Sequence, residues 1–238
     1  MHEASHHPLR VAGSRMSGIP SRGRVRFVGA VIAVSLAAGA VGCTDGESVD
    51  AAPDYSAGPT ELCGGNVISA DAGKALKVIT GAPRFEESDE TSTVVHAARE
   101  LSEKFTSSAT GDGDICTVFA EDAKQSDRLE VTWELTGGPP EGEPASKFRV
   151  LRMGERALAA PDAGVVQFAC RNEKSLGSQP AHVDIGVERW SPEEPEGDPE
   201  KLTDAYATVA HSVSLAMAKE LGCENNGGLE PRPVLDPA

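Results

Sequence analysis

The sequence has few aromatic residues and, beyond its first 42 residues, few basic ones. Aromatic side chains make up 4% of the 238 residues, which is too few for platforms that stack against sugars or bases. Residues 1–42 hold five of the 22 basic residues and one of the 37 acidic residues. The remainder therefore carries 17 basic and 36 acidic side chains, and this negative charge repels phosphate groups. We expect no nucleic-acid partner.

Residues 43–238 also lack the contiguous motifs of common enzymes. They contain no G-x-S-x-G, S-x-x-K or H-E-x-x-H motif and no glycine-rich phosphate loop, so the usual hydrolase and nucleotide-binding signatures are absent. A dispersed active site leaves no such trace. We therefore predict a protein that is not an enzyme and has no cofactor, while an enzyme with dispersed residues stays open.

The uncharged run near the N-terminus is too short to cross a membrane. It covers residues 27–42, which is 16 residues and includes many Gly and Ala, whereas a spanning helix needs about 20 apolar residues. Three arginines precede the run and small residues end it, as in a secretory signal peptide. We predict that residues 1–42 are a signal peptide; an uncleaved signal anchor is the alternative.

The end of this run, Ala40-Val41-Gly42-Cys43, resembles a lipobox, the site at which bacterial lipoproteins receive a diacylglyceryl group on the cysteine sulfur before the signal peptide is removed. Ala40 departs from the leucine that is usual at its position. The resemblance covers about residues 22–43 and implies that Cys43 is lipidated and anchors the protein at the extracytoplasmic face of the cell membrane. Two acyl chains are enough for stable anchoring. A plain signal peptide with Cys43 as an ordinary thiol stays open, as does a start at Met16.

Residues 43–62 predict a flexible tether. This segment is acidic, is rich in small residues and contains Pro and Gly, so it buries too little apolar surface to fold. A flexible coil of about 19 residues spans about 24 Å on average. We expect the tether to lift a folded domain clear of the lipid headgroups.

Four further cysteines follow the tether, and their number predicts two disulfide bonds in an exported domain. None of them forms a C-x-x-C pair and no His lies at zinc-finger spacing from them, which argues against a zinc or thioredoxin-like site. Short loops close more readily, so we favour Cys63 with Cys116 and Cys170 with Cys223; the nested connectivity stays open.

Residues 63–223 predict one α+β domain, followed by a flexible tail over 224–238. Apolar residues recur at helical spacing in three segments: 70–80, about 90–105, and a third that starts after Asp198 and ends before Gly222. Between the second and third helices the period changes to two. We expect a mainly antiparallel sheet of about five strands with the helices packed on one face; the strand candidates are 115–121, 129–135, 147–153, 165–171 and 181–190.

The other face of this sheet is polar, and we expect any function to lie there. The strand 181–190 directs His182, Asp184 and Glu188 to that face, where two carboxylates and an imidazole are suited to a divalent cation or to proton transfer. An ordinary solvated face has the same alternation, so these three are weak candidates for a metal site. His96 and His211 are predicted to be surface histidines.

One further pattern resembles the start of a calcium loop. Asp112-Gly113-Asp114 has the first ligand spacing, but the later ligands and the closing Glu are missing and Cys116 takes the third ligand position. We predict an ordinary loop here.

The lipobox, the acidic tether and the four-cysteine α+β domain together resemble the small secreted lipoproteins of actinobacteria, many of which have no assigned function. The likeness of the folded part (LCGG at 62–65, FAC at 168–170, LGC at 221–223) is one of general style and transfers no functional residue. We expect a membrane-anchored, non-catalytic lipoprotein that binds a cationic or apolar envelope ligand or a protein partner. The alternatives are an extracytoplasmic metal-dependent enzyme and a structural component of the cell envelope.

Overall fold

The structure is a computed structural model that describes residues 56–86, 89–105, 110–121, 127–173 and 179–238. The predicted signal peptide, Cys43 and the tether as far as residue 55 lie outside the described residues. No helix in the described ranges is long and apolar enough to cross a membrane.

The fold is α+β, as predicted. Six antiparallel strands form the main sheet in the order β3-β4-β8-β7-β6-β5, and β1 and β2 form a separate two-stranded sheet. Three α-helices pack against the main sheet or against one another. The helices are α1 (Ala70–Thr80), α2 (Val94–Lys104) and α3 (Pro199–Glu220), and two 3-10 helices cover Pro59–Gly64 and Glu224–Gly228. The strands are β1 (Ser56–Ala57), β2 (Phe85–Glu86), β3 (Gly111–Val118), β4 (Arg128–Thr136), β5 (Arg149–Leu151), β6 (Arg156–Ala160), β7 (Ala163–Cys170) and β8 (Ala181–Trp190).

The helix boundaries follow from capping residues. The Ser69 hydroxyl accepts a hydrogen bond from the Ala72 amide at 3.2 Å, and Gly81 ends α1 in the left-handed region at φ 70°. The Asp198 carboxylate accepts from the amides at the start of α3. The second helix starts at Val94, four residues later than predicted, because Asp89 binds the backbone amides of the two residues before Thr93 in a turn.

The sheet contains one strand that the sequence did not predict and another that begins earlier than expected. β6 has the sequence RALAA, and alanine has little preference for strands, so its alternation carries no signal. β3 begins at Gly111, so Asp112-Gly113-Asp114 is part of a strand and the prediction of a loop is wrong. Gly113 is required because a Cβ there would lie 2.7 Å from the Trp133 indole nitrogen.

The core lies between the sheet and the helices. Alternate residues of the central strands face the helices and are at most 2% exposed, among them Val131, Trp133, Ile185 and Phe168. The helix α3 packs on β6, β7 and β8, and α1 packs on α3. Because α3 is covered on several sides, His211 is 2% exposed, and the prediction of a surface histidine is wrong at this position.

Two disulfide bonds join the cysteines in the favoured pairing. Cys63 bonds to Cys116 and so links the first 3-10 helix to β3, and Cys170 bonds to Cys223 and links β7 to the segment after α3. The Cα atoms are 5.5 Å and 4.9 Å apart, as disulfide geometry requires.

Both ends of the folded part are more ordered than the composition predicts. Residues 56–62 of the predicted tether pack on the body, where Leu62 is fully buried and β1 pairs with β2. Residues 224–238 also differ from a flexible tail, because Leu229 is 4% exposed and the Ala238 amide donates to the Val150 carbonyl at 3.0 Å. Leu62 at one end, and Leu229 with the partly buried Val234 and Leu235 at the other, pack on the core, and backbone pairing adds to the order of both segments.

Candidate outer-face binding pocket

The outer face of the sheet is the side turned away from the helices, and a loop partly covers it. The alternate residues of β4 and β8 that face outward are mostly polar, as predicted. Residues 137–148 connect β4 to β5, and this loop contacts the outer face: the Arg156 guanidinium donates to the Gly142 carbonyl at 3.1 Å, and Phe148 lines a cavity together with residues of β4, β7 and β8. The face is therefore not an ordinary solvated surface.

Between this loop and the strands lies a cavity of about 250 Å³, which we call the outer-face pocket. Its floor is formed by β4, β7 and β8, and its side wall by the end of the loop. Both acidic and apolar residues line this pocket. The residues that line it are Thr132, Glu134, Lys147, Phe148, Ala163, Gly164, Val165, Asp184, Gly186, Val187 and Glu188.

Asp184 is the most perturbed acidic group of this pocket. Its side-chain atom Oδ1 is buried and has no hydrogen-bond partner. Burial raises the pKa of Asp184 to about 6, with a smaller rise from the Glu134 carboxylate; a hydrogen bond from the Gln167 side chain and the charge of Arg156 oppose the shift. Carboxyl groups perturbed by burial in a cavity are typical of functional sites.

Gln167 lies beside Asp184 and has an unused acceptor. The two residues are register partners in the β7–β8 pair, so their side chains share the outer face. Gln167 is 5% exposed. Its Nε2 donates to the Thr136 hydroxyl at 3.2 Å, whereas its Oε1 has no partner. The Asp184 carboxyl group and the Gln167 amide are thus neighbours on adjacent strands, and Gln167 supports Asp184 from outside the pocket lining.

The other two predicted site residues serve different contacts. His182 is bound through Nδ1 to the Glu155 carboxylate at 2.7 Å, and its side chain is 14% exposed. Glu188 is exposed at the opposite end of the pocket. Asp184 and Glu188 are four positions apart on β8, so their Cα atoms are about 13 Å apart.

This separation is too long for one metal ion to bridge. Across the residues that the structure describes, no group of three or more His, Cys, Asp or Glu side chains is placed to hold a metal. The structure therefore does not assemble the metal site for which His182, Asp184 and Glu188 were the candidates.

The charge of the pocket is unbalanced toward the acidic side. Glu134, Asp184 and Glu188 line it, and the one cation among its lining residues is Lys147. The Lys147 ammonium is bound to both carboxylate oxygens of Asp162, at 3.0 and 2.8 Å, so it is already neutralised by a carboxylate that does not line the pocket.

A larger cavity of about 470 Å³ lies at one end of the sheet, beside the end of α1. Two arginines line it, and both are paired: Arg189 binds the Asp127 carboxylate at 3.1 and 3.2 Å, and Arg128 binds Glu130 at 2.6 Å. Arg128 also lies over the exposed Trp190 ring, 5.3 Å from its centre. Both arginines of this cavity are therefore already paired with carboxylates of the chain. We take the outer-face pocket as the better candidate site.

The sequence indicated the outer face and Asp184 but not the pocket itself. Gln167 and Phe148 gave no signal, because their roles depend on pairing between distant strands and on the path of a Pro/Gly loop. Comparisons with protein-family models, with curated proteins and with solved structures found no match.

Proposed function

We propose that this chain is an exported lipoprotein, anchored by a lipid on Cys43 at the extracytoplasmic face of the cell membrane, whose folded part binds a ligand in the outer-face pocket without catalysis. The observation that carries the binding function is Asp184, a partly buried carboxyl group with a pKa raised to about 6, which lines an open cavity together with two further carboxylates. Carboxyl groups perturbed in this way are typical of functional sites.

The sequence supports the location. A basic segment, a short uncharged run and a lipobox-like end precede Cys43. The two disulfide bonds agree with an oxidising compartment. Because residues 56–62 pack on the body, the proposed tether is shortened to residues 43–55.

The pocket chemistry supports binding over catalysis. Its described lining includes no Ser, Cys or His, and Thr132 is the one hydroxyl group among those residues. A nucleophile beside a base, which covalent catalysis needs, is not assembled from them. The same residues offer acceptors and an aromatic wall, which orient a ligand.

The anchor is tested by metabolic labelling with an alkyne analogue of palmitate in a bacterial host. We expect the wild-type chain to be labelled, to lose residues 1–42 and to sediment with membranes. The Cys43→Ser variant should be unlabelled. A wild-type chain that is unlabelled, or that retains residues 1–42, would contradict the anchor.

The binding function is tested with a panel of small cationic, neutral and anionic molecules, scored by ligand-detected NMR on the full chain in a non-ionic detergent. The variant Val165→Phe fills the pocket from β7. The matched control Val95→Phe places the same side chain on an exposed position of α2. We expect at least one class of molecule to bind to the wild-type chain and to the Val95→Phe control, and not to Val165→Phe. Equal binding to wild type and to Val165→Phe would contradict the proposed binding function.

A further inference from the structure

We propose that the ligand of the outer-face pocket is an organic cation with N–H donors, an ammonium or guanidinium group, held by Asp184 and Glu134 with its carbon chain against Phe148. This inference rests on the proposed function and adds the chemical class of the ligand.

The first argument is charge. Three carboxylates line the pocket, and Lys147, its one lining cation, is held by Asp162 outside it. Glu134 and Asp184 are register partners, so their carboxylates point to the same side of adjacent strands. A cation between them neutralises a repulsion that the charge of Arg156, which does not line the pocket, offsets only in part.

The second argument is the kind of polar group that lines the pocket. Glu134, Asp184 and Glu188 present carboxylates, which only accept hydrogen bonds when ionised, and the ammonium of Lys147 is already bound to Asp162. An ammonium or guanidinium group carries three to five N–H donors and no acceptor. It therefore complements this lining, whereas a carboxylate or an ether offers these acceptors no donor.

The third argument is size and shape. A cavity of about 250 Å³ is smaller than the roughly 300–1,000 Å³ clefts that enclose drug-sized molecules. It suits a group as large as one Lys or Arg side chain. Phe148 and Val165 line the pocket together with the carboxylates, so an alkyl stem and a cationic end are both accommodated. The Lys147 ammonium already lies 5.0 Å from the centre of the Phe148 ring, so Phe148 serves the stem and the carboxylates serve the cation.

A cation of this kind has two sources: a free alkylamine, or a basic side chain of a partner protein. The test therefore compares probes in two arms. The first arm uses butylammonium, butylguanidinium, butanol and butyrate, and the second uses the peptide Gly-Gly-Lys-Gly-Gly with blocked ends. Each is titrated into the full chain in a non-ionic detergent at pH 7.5 and followed by ligand-detected NMR.

We expect the two cations to bind, and butanol and butyrate not to bind. The variant Asp184→Asn, which keeps the shape, should weaken cation binding at least tenfold, whereas Glu90→Gln, which removes an exposed carboxylate before α2, should leave it unchanged. Tighter binding of the peptide than of butylammonium identifies a protein side chain as the source, and the reverse identifies a free amine.

Three results would overturn the inference. If Asp184→Asn and Glu90→Gln weaken cation binding equally, the cations are attracted by the acidic surface in general and not by the pocket. Binding of butanol or butyrate that Val165→Phe abolishes, without binding of the cations, would leave the proposed function standing and remove the ligand class. Absence of binding by every probe, in this test and in the wider panel, would remove both. A urea unfolding curve for Asp184→Asn establishes that the variant is folded.

Discussion

Glu134 and Asp184 are register partners on neighbouring antiparallel strands, so two carboxylates share one side of the β4–β8 pair. Like charges in this position destabilise a sheet, and the partial burial of Asp184 adds to the cost. Residues that weaken a fold and lie in a cavity are characteristic of sites kept for binding. If the pocket binds a cation as proposed, the same substitution should change stability and binding in opposite directions.

Asp184→Asn should stabilise the protein at pH 7. The pKa of Asp184 is raised to about 6 from 3.8, so above pH 6 the folded state bears the full cost of a charge that the unfolded state carries freely. After allowance for solvent screening of this half-buried group, we expect a gain of about 1 kcal/mol in the free energy of unfolding. The gain should shrink as the pH falls from 6 toward 4, because wild-type Asp184 becomes protonated. Urea unfolding at pH 7 and pH 4.5 measures both values, and a loss of stability at pH 7 would contradict the prediction.

Cation binding should weaken as the pH falls through 6. Protonation of Asp184 removes the charge that the cation contacts, so with a pKa of about 6 the dissociation constant for butylammonium should rise about tenfold between pH 7 and pH 5. The Asp184→Asn variant should show a flatter profile. An unchanged constant in wild type over this range would show that Asp184 does not hold the cation. The charged groups that surround Asp184 are Glu134, Glu155, Arg156, Lys147 and Glu188.

His211 should make the fold less stable in acid. Burial lowers the pKa of His211, opposed by a hydrogen bond with the backbone of Glu230, so the folded state favours the neutral ring. As the pH falls below 6.5 the unfolded chain takes up a proton first, and stability is lost until the pH reaches the folded pKa. His211→Leu should therefore reduce the slope of unfolding free energy between pH 7 and pH 5.

The matched control for this slope is His96→Gln, which changes a histidine whose side chain is 44% exposed on α2. We expect it to keep the wild-type slope. The contribution of His211 would be refuted by equal slopes in wild type and His211→Leu, measured by urea unfolding at several pH values.

Gly113→Ala should destabilise the sheet. The added Cβ would lie 2.7 Å from the indole nitrogen of Trp133, a side chain that is 2% exposed and has no room to move. Overpacking of this kind costs about 1–3 kcal/mol. The control Gly137→Ala, with no atom within 4 Å of its Cβ, should change the free energy of unfolding by less than about 0.5 kcal/mol. Equal urea midpoints for the two variants would be inconsistent with this packing.

The parts of the fold that the sequence predicts are those with local causes. Ser69 and Gly81 bound α1 where capping chemistry predicts it, and Asp198 begins α3 in the same way. The alternation in β4 and β8 correctly assigns the buried and outward faces. Loop closure also favoured the disulfide pairing that the structure has.

The remaining features depend on contacts between distant segments. β6 is built from alanines whose strand state is set by pairing with β7, and His211 lies on a helix that is covered from more than one side. The pocket likewise needs the contacts of residues 137–148 with the outer face, which no local pattern in the sequence predicts. Asp184 could be named as a candidate from its alternation, but its burial could not.

The bond between Cys63 and Cys116 lies where the chain enters its folded part, and it determines how the protein bears mechanical load. A pull applied from the residue-55 side first strains the two-residue pairing of β1 with β2 and then reaches Cys63. From there the force passes through a covalent link into β3 of the main sheet, instead of peeling α1 from its neighbours. In the lipoprotein proposed above, tension on the anchor would thus enter the six-stranded sheet at β3, its edge strand.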